Sequence, residues 1–255
     1  MSGVAPVALV TGGSGGIAPA IAEQLIGAGW QVVLTARRAG PLEAVAARIG
    51  AEALTSDATD PATIATLVAT IVARHGRIDL LVNAAASSTP IGGAIETVDV
   101  AALIADLDVK VGGYLRYLQA VVAVMRRQGG GRIVNIGGLT GRSSDTLSGL
   151  RNAAVSHFTK TLSDQLAPEG ITVNAVHPGI VASPHLTELF AEMAHERGTE
   201  PAAIETEFLG RIPTRRLIDP QEIGRLVLVL AGETGQSITG ESITLDGGYS
   251  RGVYL

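Results

Sequence analysis

Short apolar runs alternate with longer amphipathic stretches along almost the whole chain. Several of the short runs are apolar throughout, which is typical of parallel strands buried on both faces. Seven of them predict strands: Val7–Val10, Val32–Thr35, Ala53–Ser56, Leu80–Asn83, Ile133–Ile136, Thr172–His177 and Ser242–Leu245. Six stretches predict helices: Ile17–Ala28, Pro41–Ile49, Pro61–His75, Val98–Arg127, Ala153–Leu166 and Pro220–Leu230.

This alternation predicts an α/β fold, a doubly wound parallel sheet with right-handed crossovers and helices on both faces. Without a linker or a repeat, residues 1–255 form one domain. One segment interrupts the alternation: it runs from Ser183 to Pro213 and carries apolar residues at helical spacing, such as Leu186 and Phe190. Two interpretations stay open, a peripheral helix packed on the core or a substrate lid of about residues 184–213 over a pocket at the strand carboxyl ends.

Composition narrows the class of protein. Of 255 residues, 46% are hydrophobic and 17% charged, with a net charge of −5, which excludes a disordered chain. The scattered Lys and Arg residues offer no basic stripe for nucleic acid. The absence of cysteine excludes disulfides and thiolate metal sites, and the five histidines form no short ligand motif, so we expect no metal. The longest apolar run, Leu226–Ala231, is too short for a bilayer, so we expect a cytoplasmic protein without membrane contact.

A glycine cluster directly after the first strand carries the first functional signal. The segment from Thr11 to Ala18 reads Thr-Gly-Gly-Ser-Gly-Gly-Ile-Ala and opens the first helix. Glycines allow a tight turn and let backbone N–H groups approach a pyrophosphate at the positive end of a helix. The cluster therefore predicts a dinucleotide site at Gly12, Ser14, Gly16 and Ile17, with an ordinary glycine turn as the alternative.

The end of the second strand indicates which dinucleotide. Folds that bind NAD place an acid there that accepts a hydrogen bond from the ribose 2′-hydroxyl. This chain has Ala36 followed by Arg37 and Arg38, and a guanidinium suits a phosphate. NADP(H) is therefore favoured over NAD(H), unless both arginines are merely solvated.

With these motifs, the chain resembles the short-chain dehydrogenase/reductase family over nearly its whole length. Further matches are Asp57-Ala58, the run from Asn83 to Ala86, the segment Ile171–Gly179 and the terminus from Gly240 to Gly248. The resemblance implies a Rossmann fold and a homodimer or homotetramer. It also extends the expected cofactor contacts to Asp57, Ala58, Asn83, Ala84, Ala85, Asn152, Pro178, Gly179, Ile180 and Ser183.

The catalytic positions depart from the family pattern, which uses an Asn, a Ser and a Tyr-x-x-x-Lys pair. Aligning the flanking residues puts Lys110 at the Asn position and Gly138 at the Ser position. Ser148 and Asn152 then stand at the Tyr and Lys positions. A shift of register does not restore the pair, because no tyrosine of this chain precedes a lysine by four residues.

The Lys110 and Asn152 side chains look like a reciprocal exchange of the family's Asn and Lys. A lysine desolvated beside a cofactor loses proton affinity and can act as an acid or a base. We therefore expect Lys110 to donate the proton or stabilise charge, Asn152 to bond the ribose, and Ser148 to orient a substrate oxygen. The alternative is that Lys110 only pairs with Asp106 or Asp108 on a solvated surface. Weaker polar candidates nearby are Arg151, Ser143, Ser144 and Thr146.

Three functions remain open at this stage. The first is an NADP(H)-dependent oxidoreductase that acts on a carbonyl or alcohol with a non-standard active site. The second is a catalytically inactive dinucleotide-binding protein, and the third is a non-redox lyase, isomerase or cyclase on the same fold. In either enzyme we expect a small, apolar substrate, because leucines flank the predicted pocket. Fold alone does not choose among these functions.

Overall fold

The computed structural model describes residues 4–86, 91–92, 94–142 and 146–252, without the side chains of residues 141 and 142. Within this part of the chain, all strands run parallel in one seven-stranded sheet of order β3-β2-β1-β4-β5-β6-β7. The strands are β1 (Val7–Thr11), β2 (Gln31–Ala36), β3 (Glu52–Thr55), β4 (Leu80–Asn83), β5 (Gly131–Ile136), β6 (Ile171–Pro178) and β7 (Ser242–Leu245). Each predicted strand is present, with ends that differ by at most two residues.

The helices connect consecutive strands and lie on both faces of the sheet. They are α1 (Ala18–Gly27), α2 (Ala39–Ile49), α3 (Pro61–His75), α4 (Val100–Leu107), α5 (Gly113–Gln128), α6 (Gly149–Leu166), α7 (Pro184–Arg197), α8 (Pro201–Arg211) and α9 (Pro220–Ala231). Local sequence sets some of these bounds. Helix α3, for example, begins after Asp60, whose carboxylate accepts from the backbone N–H of Ala62, and ends at Gly76, which has φ +77°.

Side chains along β1 alternate between the two faces of the sheet, so the interior consists of two layers. Val7 and Leu9 pack into a core with residues of α3, α5 and α6. Ala8 and Val10 pack into a second core with residues of α1, α2 and α9. Both faces of the sheet are therefore covered, which confirms the predicted doubly wound α/β fold.

The segment between β6 and α9 forms a helical hairpin with a small core of its own. Helices α7 and α8 meet through Phe190 and Phe208, whose ring centroids lie 5.0 Å apart, and Ala194 and Ile204 are buried beside them. Gly198, with φ +63°, ends α7 and lets the chain reverse. The hairpin occupies the segment predicted as a lid, and movement of a lid remains a prediction.

The strand order fixes where a ligand can bind. The sheet grows outward in both directions from β1, with β2 on one side and β4 on the other. The connections after β1 and β4 therefore diverge to opposite faces and leave a crevice at the carboxyl ends of these strands. None of the helices in the described ranges combines the length and the apolar composition needed to cross a membrane.

Candidate active site

The glycine-rich loop after β1 packs directly against the loop after β4. Gly12 has φ +73°, and a Cβ there would lie 2.8 Å from the carbonyl oxygen of Ala84 and 2.9 Å from the nitrogen of Ala85. The Thr11 hydroxyl accepts from the backbone N–H groups of Ala84 (2.9 Å) and Ala85 (3.2 Å). Because a side chain at position 12 would be both strained and blocked, the close approach of these two loops requires glycine.

The loop leads into α1 without a side-chain cap. Ile17 occupies the N-cap position, and its apolar side chain makes no capping hydrogen bond. Pro19 lies in the first turn, where its missing N–H costs little. Backbone N–H groups of this turn are therefore available to a phosphate, as the sequence predicts for Gly16 and Ile17.

A cavity of about 690 Å³ opens along the carboxyl ends of β1, β2 and β4. It brings together eight of the predicted cofactor residues: Gly12, Ser14, Arg37, Arg38, Asp57, Ala58, Ala84 and Ala85. The remaining lining residues were not singled out from the sequence as cofactor contacts: Gly15, Thr35, Ala36, Ser56, Ala86, Ile91, Ala102, Ala105, Asp106, Val109 and Tyr117. These residues belong to segments that are distant in the sequence, and only the folded chain brings them to one cavity.

A polar network underlies the part of the cavity between β2 and β3. The Ser56 hydroxyl lies 2.8 Å from the Thr35 hydroxyl and 2.5 Å from the Tyr117 hydroxyl. Burial raises the pKa of Tyr117. The pKa of Asp57 is lowered, first because the backbone N–H of Thr59 donates to its carboxylate. Asp57 is therefore a charged acceptor at this edge of the cavity.

The next two strands carry a buried amide chain beneath the site. Asn83, at the end of β4, donates from Nδ2 to Oδ1 of Asn135 at 2.9 Å, and Asn135 donates to the Thr159 hydroxyl at 3.0 Å. Within the described residues, Oδ1 of Asn83 has no hydrogen-bond partner. Asn83 is not among the residues that line the cavity.

Lys110 lies in the interior, and its amine reaches the carboxyl end of β5. Its side chain belongs to a π-helical segment, Asp108–Gly112, that separates α4 from α5. The residue is 3% exposed, and Nζ donates to the carbonyl oxygen of Gly137 at 2.9 Å, directly after β5. The alternative of a solvated surface lysine is therefore wrong. Burial, reinforced by repulsion from Arg151, lowers the pKa of Lys110 to about 7, and attraction to Asp106 opposes that shift.

Tyr114 faces Lys110 from α5, and its hydroxyl is bonded within the protein interior. The Tyr114 ring lies one turn beyond Lys110, with 5.9 Å between the lysine Nζ and the ring centroid. Its hydroxyl donates to the carbonyl oxygen of Ile136 at 3.0 Å, and burial raises the pKa of Tyr114 far above its usual value. The hydroxyl proton of Tyr114 is therefore bonded to a backbone carbonyl inside the protein.

The two acids proposed as surface partners of Lys110 pair with arginines instead. Asp106 forms a hydrogen-bonded ion pair with Arg151, and these side chains are 3% and 12% exposed. Asp108 pairs with Arg116 at 2.6 Å. Lys110 thus has a backbone carbonyl, and no carboxylate, as its hydrogen-bond acceptor among the described residues.

Ser148 and Asn152 lie one turn apart at the start of α6, and both are 3% exposed. The Ser148 hydroxyl accepts from the backbone N–H of Ile91 at 2.7 Å and so anchors the segment after β4. Asn152 donates from Nδ2 to the Thr140 hydroxyl at 2.8 Å, and its Oδ1 has no partner within the described residues. A Cβ at Gly138 would come within 2.9 Å of Asn152 Nδ2, so the amide fills the space beside the glycine. Ser143 and Ser144 lie outside the described residues.

The segment after β6 reaches the glycine-rich loop from the other side. The Gly179 N–H donates to the Leu245 carbonyl, and the Ile180 carbonyl accepts from the N–H of Ile218. Ser183 caps α7, and its Cβ would lie 3.7 Å from a Cβ at Gly16. Of the predicted cofactor residues, Gly16, Ile17, Asn83, Asn152, Pro178, Gly179, Ile180 and Ser183 do not line the large cavity. A second cavity of about 200 Å³ lies between Ser183 and the α7–α8 hairpin.

Comparisons with known proteins agree with this architecture. A family model described as enoyl-(acyl carrier protein) reductase matches residues 12–250. The short-chain reductase protein NovJ of Streptomyces niveus is 35% identical over 250 residues, which cover 95% of this chain and 93% of NovJ. The monensin polyketide synthase putative ketoacyl reductase of Streptomyces virginiae is 36% identical over 254 residues, which cover 95% of this chain and 96% of that protein.

Solved structures resemble the chain over nearly its full length. YwfH, an NADPH-dependent reductase involved in bacilysin biosynthesis, superposes with a TM-score of 0.89 at 27% identity, covering 98% of this chain and 100% of YwfH. An actinorhodin polyketide ketoreductase variant with NADPH gives 0.88 at 30% identity, covering 96% of this chain and 97% of its own. An NAD⁺-bound xylitol dehydrogenase gives 0.86 at 28% identity, with coverages of 95% and 98%.

Proposed function

Because the chain belongs to the short-chain dehydrogenase/reductase family of oxidoreductases, we propose that it is an NADP(H)-dependent enzyme that interconverts a carbonyl and an alcohol, with Lys110 as proton donor. The observation that carries this proposal is the buried Lys110 amine at the carboxyl end of β5, with a pKa of about 7. A general acid works best when its pKa lies near the working pH, and an ordinary lysine is far from that condition.

The cavity fits a phosphorylated nicotinamide dinucleotide. Gly12 allows backbone approach, the uncapped start of α1 favours a phosphate, and Arg37 and Arg38 line the cavity beyond β2. Ala36 stands just before them, so no carboxylate at these three positions would repel a 2′-phosphate. Two structural relatives are described with NADPH and one with NAD⁺, and the arginines of this chain favour the former.

This preference is testable with a paired arginine variant. We expect Arg37→Ala/Arg38→Ala to weaken NADPH binding about 10- to 100-fold, which corresponds to the net loss of one hydrogen bond to a charged phosphate, worth about 1.5–3 kcal/mol. Binding of NADH, which lacks that phosphate, should change little. Isothermal titration with both nucleotides measures the effect. Arg127→Ala, an exposed arginine at the end of α5, is the matched control. Equal losses for NADPH and NADH would contradict the assignment.

Gly12, the start of α1, Arg37 and Arg38 would hold the dinucleotide, whose nicotinamide would supply a hydride for the carbonyl carbon of the substrate. Because Lys110 is buried and does not line the cavity, a water molecule would relay one proton from its ammonium to the carbonyl oxygen, so that the product is an alcohol and the lysine is left as a neutral amine. Water then restores its proton. Because the pKa is about 7, the neutral and charged forms of Lys110 are both populated near neutral pH, and the same group serves either direction.

Two further side chains have proposed binding roles. Among the described residues the buried Oδ1 of Asn152 has no hydrogen-bond partner, and it would accept a hydrogen bond from a ribose hydroxyl. Ser148 already receives the N–H of Ile91, and its hydroxyl proton would orient a substrate oxygen. Apolar residues of the cavity wall, including Ile91, Ala102 and Val109, favour an apolar substrate.

The proposed function is tested by supplying NADPH and a panel of ketones and aldehydes. We expect oxidation of NADPH, followed by absorbance, with one equivalent of alcohol formed for each nucleotide consumed. Nucleotide binding without oxidation across the panel would indicate a dinucleotide-binding protein instead. Conversion of a substrate with no change in the nucleotide would indicate a non-redox enzyme. Either result would refute the proposal.

A further inference from the structure

A cluster of three charged side chains lies in the interior between α4, the π-helical segment and α6. Asp106 and Arg151 form an ion pair across 45 residues of sequence, and Lys110 follows Asp106 by four positions. All three are largely removed from solvent: Asp106 and Lys110 are 5% and 3% exposed, and the Arg151 side chain is 12% exposed. Charges this deeply buried interact strongly, because water screens them poorly.

The pairing within this cluster is selective. On a helix, a lysine four residues after an aspartate is close enough to form a salt bridge with it. Here the guanidinium of Arg151 holds Asp106, and Lys110 donates to the carbonyl oxygen of Gly137 instead. The cluster therefore contains two cationic side chains, Arg151 and Lys110, and one carboxylate. Because Asp106 pairs with Arg151, Lys110 has no carboxylate partner among the described residues.

The ion pair itself is incompletely bonded. Asp106 Oδ2 and Arg151 Nε are buried and have no hydrogen-bond partner within the described residues. Removing two charges from water is costly, and a buried pair with unused donors and acceptors recovers that cost poorly. Stability alone is thus a weak explanation for this pair. Asp106 also lines the large cavity, so the pair links the cavity wall to Lys110.

We propose that Arg151 and Asp106 are positioning residues that set the charge state of Lys110: the guanidinium binds the Asp106 carboxylate and so withholds it from the lysine amine. For its consequence in turnover, this inference rests on the proposed role of Lys110 as proton donor. The two charges act in opposite directions on the lysine, repulsion by Arg151 and attraction by Asp106, and burial acts with Arg151.

Other groups around Lys110 leave this balance to the ion pair. Tyr114 faces it from α5 with its hydroxyl on Ile136, and Asp108 is held by Arg116. On the other side of the strand end, the His177 ring contacts Gly137 and Gly138, and its Nδ1 lies 3.2 Å from the Gly138 nitrogen.

The chain offers a direct measurement, because Lys110 and Lys160 are its only lysines. Protein labelled with ¹³C at lysine Cε should give two lysine signals, whose shifts report each amine's titration without any assay of turnover. Lys160 is 64% exposed and pairs with Asp164 on α6, so it serves as the internal reference. The variant Lys160→Arg assigns the two signals.

Opposite shifts of the Lys110 midpoint are expected from the two single variants. Arg151→Gln frees the Asp106 carboxylate and should raise the midpoint by about 1–3 pH units, the usual effect of a nearby opposite charge. Asp106→Asn leaves Arg151 uncompensated and should lower it. The double variant should lie between the two. Arg126→Gln, which breaks an exposed ion pair near the amino ends of the strands, is the control and should change nothing.

Shifts in the same direction, or an unchanged midpoint in both single variants, would overturn the inference. If Arg151→Gln does not fold, Asp106→Asn and the double variant still give the sign of each charge. The pH profile of kcat separates this inference from the proposed function. A kcat profile that fails to follow the shifted Lys110 midpoint would refute Lys110 as proton donor and leave the action of the ion pair established.

Discussion

Lys110→Met is expected to lower kcat for NADPH-dependent carbonyl reduction by about 10²–10⁴-fold, the usual contribution of a general acid. Methionine has a similar length and suits a buried site, so the packing beneath Gly137 should persist, but it has no proton to give. Binding of NADPH should be nearly unchanged, because Lys110 lies outside the cavity lined by Gly12, Arg37 and Arg38. Steady-state kinetics together with nucleotide titration measures both quantities.

The matched control for this variant is Lys160→Met. Lys160 is the other lysine of the chain, lies exposed on α6 and pairs only with Asp164 among the described residues. Its replacement should leave kcat as it is. If Lys110→Met retained the wild-type kcat, the proton would have to come from another group or from water, and the proposed mechanism would be wrong.

The same substitution should stabilise the protein, by an amount that depends strongly on pH. The pKa of Lys110 is lowered from 10.5 to about 7 in the folded chain. Between these values the unfolded state binds more protons, so wild-type stability rises with pH through this window. The cost of the buried charge is complete below about pH 7 and absent above pH 10.5. At 1.36 kcal/mol per unit, the full cost is about 5 kcal/mol.

We therefore expect the stability advantage of Lys110→Met over the wild type to be about 4 kcal/mol larger at pH 6 than at pH 10.5. Denaturant unfolding of both proteins at several pH values measures this difference, and all other titrating groups are common to the pair. Lys160→Met should show no such trend. An advantage that did not vary with pH would show that Lys110 titrates alike in the folded and unfolded states, against the lowered pKa.

These two predictions describe one trade-off. A lysine that gives up its proton near neutral pH must be buried, and the burial that lowers its pKa also destabilises the folded chain. Active sites commonly hold groups that reduce stability in this way. A more stable and less active Lys110→Met would be the expected signature.

Some elements could be predicted to the residue, and others could not. Helix α3 matches the predicted Pro61–His75 because its start and end depend on local residues, Asp60 and Gly76. The stretch Val98–Arg127 was predicted as one helix, and the structure is helical without a gap from Val100 to Gln128. The prediction missed the π-helical segment at Asp108–Gly112 that separates α4 from α5. No proline marks this change in the sequence, and long-range contacts such as Lys110 to Gly137 and Arg116 to the Ala58 carbonyl accompany it.

The segment 184–213 shows the same division. Its apolar spacing predicts a single helix. The structure has two, because Gly198 ends α7 and Pro201 begins α8. Helices α7 and α8 pack against each other through Phe190 and Phe208. This contact depends on the direction that the turn between them gives to α8.

The sequence by itself determined the alternating fold and the glycine-rich loop after β1, because strand periodicity, helix ends and the backbone freedom that Gly12 needs are properties of neighbouring residues. The family resemblance also led to the prediction that Lys110 and Asn152 stand where the family has other side chains. Tertiary structure alone decided that Lys110 is buried, that Arg151 captures Asp106 across 45 residues, and that Tyr114 is bonded to Ile136. The pKa of a side chain depends on its solvation and on the charges around it, and both are set by which distant elements meet in space.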